Sequence, residues 1–136
     1  MRIIVVAEGR QRPPYVDDAD HYLKMLRRYA RLEIVEVADG PALLRRVPER
    51  AFICLLAING ESTDSVGFSR FLEQRRQSGQ DLCFVIGGAF GAPPLPRVDR
   101  ALSFGPMTLP HQLARVVLLE QLYRAHRILA GEPYHL

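Results

Sequence analysis

Lysine is nearly missing from this chain: of its 18 basic residues only Lys24 is not arginine. Long apolar runs are missing as well. No stretch approaches the roughly 18 residues that a helix needs to span a bilayer. The opening run Ile3–Ala7 is too short for a signal-peptide core and no small-residue cleavage site follows it, so the expected compartment is the cytoplasm. Cysteine is scarce. Cys54 and Cys83 both lie in apolar runs, where a thiol acts as a small core hydrophobe, which excludes a disulfide framework. His126 and His135 are too few and too scattered for a metal centre, and none is expected. A Ser-His-Asp order, a carboxylate pair and a reactive-cysteine context are also wanting, so nothing supports a hydrolase.

What is present describes one globular domain over residues 1–136, with 48% hydrophobic and 24% charged residues. That apolar content excludes intrinsic disorder. The net charge is only +3. Arginine suits bidentate phosphate contact and base stacking, which admits an RNA partner. A GC-rich coding bias explains the same composition, and so small a net charge does not by itself point to nucleic acid.

Strand-like runs alternate with amphipathic stretches. Arg2–Ala7, Leu32–Ala38, Ala51–Ile58, Asp81–Ile86 and Ala101–Phe104 read as strands, the first nearly continuously apolar and so buried on both faces. Helices are expected from Asp17 or Asp18 to Arg31, over Ala42–Val47, from Val66 to Gln77 and, weakly, over Leu95–Arg100. The longest runs from Pro110 to Ala130. Strand–helix alternation of this kind gives an α/β fold, a mostly parallel sheet flanked by helices. Ligands in such sheets sit beyond the carboxyl ends of the strands, which selects the loops after Ile58, Ile86 and Phe104. The last helix is apolar nearly all round, which suggests a homodimer.

Two loops stand out. Gly87-Gly88-Ala89-Phe90-Gly91 lacks the spacing of a dinucleotide or phosphate loop and reads either as a tight turn or as a ligand approach. A side chain at Gly88 is expected to intrude on a cofactor or on the Gly105 loop. Phe104–Leu109, stiffened by Pro106 and Pro110, is either a packed connector with Thr108 as a cap or a sandwich for a flat heteroaromatic ring. His111 follows as a candidate base, substrate contact or cap. Arg124 has Glu120 one turn earlier, the spacing of a structural ion pair.

In order, the chain carries Ile-Gly-Gly-x-x-Gly at 86–91, Leu102-Ser103-Phe104-x-x-Met107-Thr108-Leu109-Pro110-His111-Gln112, Arg115-Val116, Glu120-Gln121-Leu122-Tyr123-Arg124-Ala125 and Pro133-Tyr134-His135. Together these resemble the ribosomal RNA large-subunit methyltransferase H family of the SPOUT or α/β-knot class, closely over residues 82–135 and loosely before. The resemblance implies a C-terminal deep trefoil knot, S-adenosylmethionine as methyl donor, and methylation at N3 of a pseudouridine in large-subunit (23S) rRNA within the assembled ribosome. It places Leu56, Gly87, Gly88, Phe104, Gly105, Pro106, Met107, Thr108 and Leu109 at the cofactor. It places His111, Arg124, Tyr134 and His135 around the substrate, with a partner subunit completing each site.

The chain departs from the family at four places. Phe90 stands where an acid is usual, Glu61 replaces a lysine, Glu132 replaces the histidine of the usual His-Pro-Tyr-His ending, and Leu136 replaces a basic terminus. The connector between Ala38 and Ala51 is short. These departures keep open a knotted module that binds RNA or adenosylmethionine without turnover. A flavodoxin-like nucleotide-binding protein without a knot is the other alternative.

Overall fold

The computed structural model describes residues 1–135; Leu136 lies outside them. Five strands, β1 (Arg2–Glu8), β2 (Arg31–Val37), β3 (Phe52–Ser62), β4 (Leu82–Ile86) and β5 (Arg100–Ser103), alternate with four helices. The helices are α1 (Val16–Leu26), α2 (Gly40–Arg46), α3 (Ser65–Ser78) and α4 (His111–Leu129). The sheet order is β2-β1-β4-β3-β5 and every pairing is parallel.

The apolar runs occupy the centre. Ile3, Val5 and Ala7 of β1 join Phe84 and Ile86 of β4 on one face, under α1, α3 and α4. Ile4 and Val6 join Cys83 and Val85 on the other, under α2. Cys54 and Cys83 thus belong to opposite layers. Burial pushes both thiols up to about 12, so they stay protonated and serve as packing. No helix among the described residues is long and apolar enough to cross a membrane.

Capping follows the sequence at two helices. Asp39 accepts from the Ala42 amide before α2, and Asp64 from the Gly67 amide before α3. At α1 it does not: Asp17 and Asp18 sit in the first turn, where they favour the helix dipole, without a side-chain cap. The helix also ends at Leu26 rather than Arg31, because the amides of Tyr29 and Ala30 both turn back onto the Leu26 carbonyl.

Two further expectations change. No helix forms over Leu95–Arg100. Pro93, Pro94 and Pro96 remove amide donors there, Arg97 Nη2 donates to the carbonyls of Glu49 and Ala51, and Asp99 accepts from the Ile53 amide. The segment is thereby held extended into β5. β3 does not stop at Ile58 but runs on through Asn59-Gly60 to Ser62 with a bulge: Leu102 pairs with both Leu56 and Glu61. Gly60 permits this, since a β-carbon on it would lie 2.7 Å from the Ala101 backbone.

α4 lies between α1 and α3 against β4. Leu118, Leu119 and Leu122 are fully buried, whereas Leu113 and Val117 are half-buried and Leu129 is exposed.

Candidate functional site

The three strand-end segments chosen from the sequence converge on one cavity of about 700 Å³. Leu56, Ala57 and Ile58 of the bulged strand, Gly87–Ala89 and Gly91 beyond β4, and Phe104–Gly105 with Met107–Leu109 beyond β5 form its walls. His111 and Ala114 close it from α4. Eight of the nine residues expected at the cofactor line it; Pro106 does not. The volume suits a nucleoside-sized ligand, within the range of about 300–1,000 Å³ usual for small-molecule sites. The walls are mainly backbone and aliphatic side chains, which can enclose a flat heteroaromatic ring and leave peptide groups to hydrogen-bond its edge.

Each loop is fixed for a reason. The Gly87–Gly91 segment is indeed a tight turn: Gly91 donates to the Gly88 carbonyl at 3.0 Å, and a β-carbon on Gly87 would overlap the backbone of Gly91 and Ala92. The turn is also a cavity wall, so its two readings are compatible. At Gly88 the obstacle differs from the one expected. A β-carbon there would overlap the carboxylate of Glu8, not the Gly105 loop. Gly105 has φ +120°, a conformation that favours glycine. The buried Ser103 hydroxyl ties its loop down, accepting the Gly105 amide at 3.0 Å and lying 2.9 Å from the Ile58 carbonyl. The sequence signal for this role is a serine directly before a Phe-Gly-Pro turn. Thr108 caps nothing, since Pro110 is the N-cap of α4.

The first turns of α4 are pinned to the β1–α1 loop. Gln112 accepts from the Arg12 amide and donates to the Arg10 carbonyl, both at 2.8 Å. Arg115, only 2% exposed, pairs with Glu36 at 2.5 Å and donates to the Gly9 carbonyl at 2.8 Å. These bonds hold His111 against Gly9, whose β-carbon would lie 3.9 Å from the ring Nε2.

The other candidate substrate residues gather elsewhere. Arg124 donates to Glu120 and approaches Nδ1 of His135 at 3.0 Å, and its guanidinium sits 4.8 Å from the Tyr134 ring centroid. The Tyr134 hydroxyl donates to Glu120 at 3.2 Å. Burial, with the Glu120 charge next in weight, pushes the Tyr134 phenol up to about 12, so it holds its proton at neutral pH. Along α4, His111 and Arg124 are separated by a rise of roughly 20 Å. Within one chain, therefore, His111 belongs to the cavity and Arg124, Tyr134 and His135 form a separate cluster.

The departures have local partners. Glu61 pairs with Arg100 at 3.1 Å across β3 and β5. Glu132 accepts from the Tyr29 hydroxyl at 3.0 Å and from Arg127 at 2.8 Å, anchoring the tail that carries Tyr134 and His135. Phe90 is fully exposed on its turn. Leu136 lies outside the described residues.

The chain belongs to the family described as "Predicted SPOUT methyltransferase", whose model matches residues 1–135. Similarity extends to individual proteins named ribosomal RNA large subunit methyltransferase H. That of Enterococcus faecalis is 39% identical over 158 aligned residues, covering 99% of both chains. That of Anaeromyxobacter dehalogenans is 41% identical over 152, and that of Carboxydothermus hydrogenoformans 38% over 158, with the same coverage. The resemblance, close in sequence only over residues 82–135, thus runs through the whole chain.

Proposed function

We propose that this chain is an S-adenosylmethionine-dependent methyltransferase acting at N3 of a pseudouridine in large-subunit (23S) rRNA within the assembled ribosome. The observation that carries the reading is the cavity of about 700 Å³ built by the three strand-end loops. Family membership and the names of the relatives supply the reaction and the RNA. When bound, adenosylmethionine supplies an electrophilic methyl group. Leu56, Gly87, Gly88, Phe104, Gly105 and Met107–Leu109 would hold and orient it, and position alone can account for much of the rate. Arg124 provides a permanent cation and, with Tyr134 and His135, meets the nucleotide.

His111 and Arg124, separated by a rise of roughly 20 Å along one helix, are too far apart to meet the same reacting atom within one chain. We infer a homodimer in which the Arg124 cluster of one protomer completes the cavity of the other. The half-buried Leu113 and Val117 and the exposed Ile58 and Met107 offer apolar surface for it. The deep C-terminal knot and a cytoplasmic site of action belong to the same reading. A net charge of +3 per protomer is a weak footprint for phosphate binding, so recognition rests on ribosomal shape more than bulk charge.

The test pairs calorimetry against adenosylmethionine with methyl transfer to large subunits lacking the modification, the product nucleoside being identified by mass spectrometry. Saturable binding with N3-methylated pseudouridine is expected. Binding without transfer converts the chain into a module without turnover, the outcome that the exposed Phe90 leaves open. Flavin binding in place of adenosylmethionine overturns the reading.

A further inference from the structure

A second cavity, of about 480 Å³, adjoins the first and shares Gly88, Ala89, Gly91 and His111 with it. Its other walls are Glu8, Gly9, Phe90 and the start of the proline-rich bend. Whatever occupies it lies beside whatever fills the larger cavity. Resting on the proposed reaction, we propose that this second cavity takes the unpaired target base, with the Glu8 carboxylate accepting a hydrogen bond from a ring N–H.

Four observations and one point of chemistry carry this. Glu8 ends β1 in register with Val37, so its backbone is fixed by the sheet. The following turn is fixed too: the Gly9 amide donates to Val37 and the Gly9 carbonyl accepts from buried Arg115. The Glu8 carboxylate packs on Gly88, which has no side chain to cover it, and among the described residues no donor or cation pairs with it. Finally, a carboxylate repels phosphate but accepts well from an imide-type N–H, the group that must be oriented and must lose its proton when a ring nitrogen is methylated. Phe90, fully exposed and also lining this cavity, offers a face on which an unstacked base can lie. The acid that the family resemblance leads one to expect at position 90 is therefore replaced by one on the neighbouring strand, against the same turn.

The test compares wild type with Glu8→Gln and Glu8→Ala. Three quantities are measured: affinity for adenosylmethionine and for adenosylhomocysteine, thermal unfolding, and single-turnover methylation of unmodified large subunits. Both variants are expected to keep the wild-type melting temperature and cofactor affinities. Glu8→Ala is expected to lose about ten- to a hundredfold in the single-turnover rate. Glu8→Gln, whose amide oxygen still accepts, is expected to retain several times more. Equal loss in the two variants, or an unchanged rate in Glu8→Ala, overturns the assignment. So does weakened adenosylmethionine binding with adenosylhomocysteine unaffected, which places the carboxylate at the sulfonium instead. A wild-type chain that binds adenosylmethionine but transfers nothing removes the underlying reading, and this assignment with it.

Discussion

Arg124 grips Glu120 through two nitrogens on one oxygen, Nε at 2.9 Å and Nη2 at 2.6 Å from Oε1. That grip, more than any other contact, holds the guanidinium above its ordinary pKa and leaves Nη1 to reach His135. The i,i+4 pair legible in the sequence is thus a structural ion pair, and in the proposed reaction it also seats the group that meets the substrate. Replacing Arg124 by alanine is expected to lower the methylation rate about a hundredfold or more while adenosylmethionine affinity stays within about twofold. Lysine should not restore the rate, because it cannot reproduce the fork. Full activity in Arg124→Ala would remove this residue from the reaction.

Gly87 and Gly88 should respond differently to alanine. At Gly87 the added carbon meets backbone, which cannot yield; at Gly88 it meets the end of a flexible carboxylate. Gly87→Ala is expected to cost about 2 kcal/mol or more in stability and at least about tenfold in cofactor affinity. Gly88→Ala should cost markedly less of both, by denaturant titration and calorimetry. The reverse order would show that the turn is not built as described.

Arg115 links α4 to β2 and to the Gly9 carbonyl from a position that is 2% exposed. Arg115→Met removes both bonds but fills most of the space. Glu36 is partly solvated and can rehydrate, so the expected loss is about 2–3 kcal/mol, below that for a fully buried pair. The His111 end of the cavity should loosen with it, visible as faster amide exchange at Gly9 and Gln11.

Burial lowers the pKa of His126, against the partial support of its hydrogen bond to the Leu122 carbonyl. The unfolded chain therefore takes up a proton at higher pH than the folded one. The stability contributed is complete above the ordinary histidine value of 6.5 and is lost as pH falls below it. The melting temperature of wild type should decline more steeply than that of His126→Gln between about pH 7 and about pH 5.5. Parallel declines would refute this.

Much of this architecture is legible in the residues. β1 reads as doubly buried because Ile3–Ala7 carries no polar side chain to expose, and the structure shows the same of β4. The three loops that wall the larger cavity follow from the rule that parallel sheets bind at their carboxyl ends. What stayed hidden depends on long-range partners. Gly60 looks like a strand terminator until Leu102 is seen pairing on both sides of it. Leu95–Arg100 has helical spacing until Arg97 and Asp99 find the β3 backbone. Glu8 looks like an ordinary polar strand end until Gly88 is placed against it. The separation of His111 from Arg124 was available from helix geometry alone, but its meaning required knowing that one lines the cavity and the other does not.

That separation has a genetic consequence. In the proposed pair, each α4 serves one centre with its first turn and the other centre with its last turns. A protomer damaged only at Gly87 still carries an intact Arg124 cluster, and one damaged only at Arg124 still carries an intact cavity. Coexpressed, two inactive alleles of these kinds should assemble one sound centre per mixed pair, so that neither defect is dominant and each masks the other.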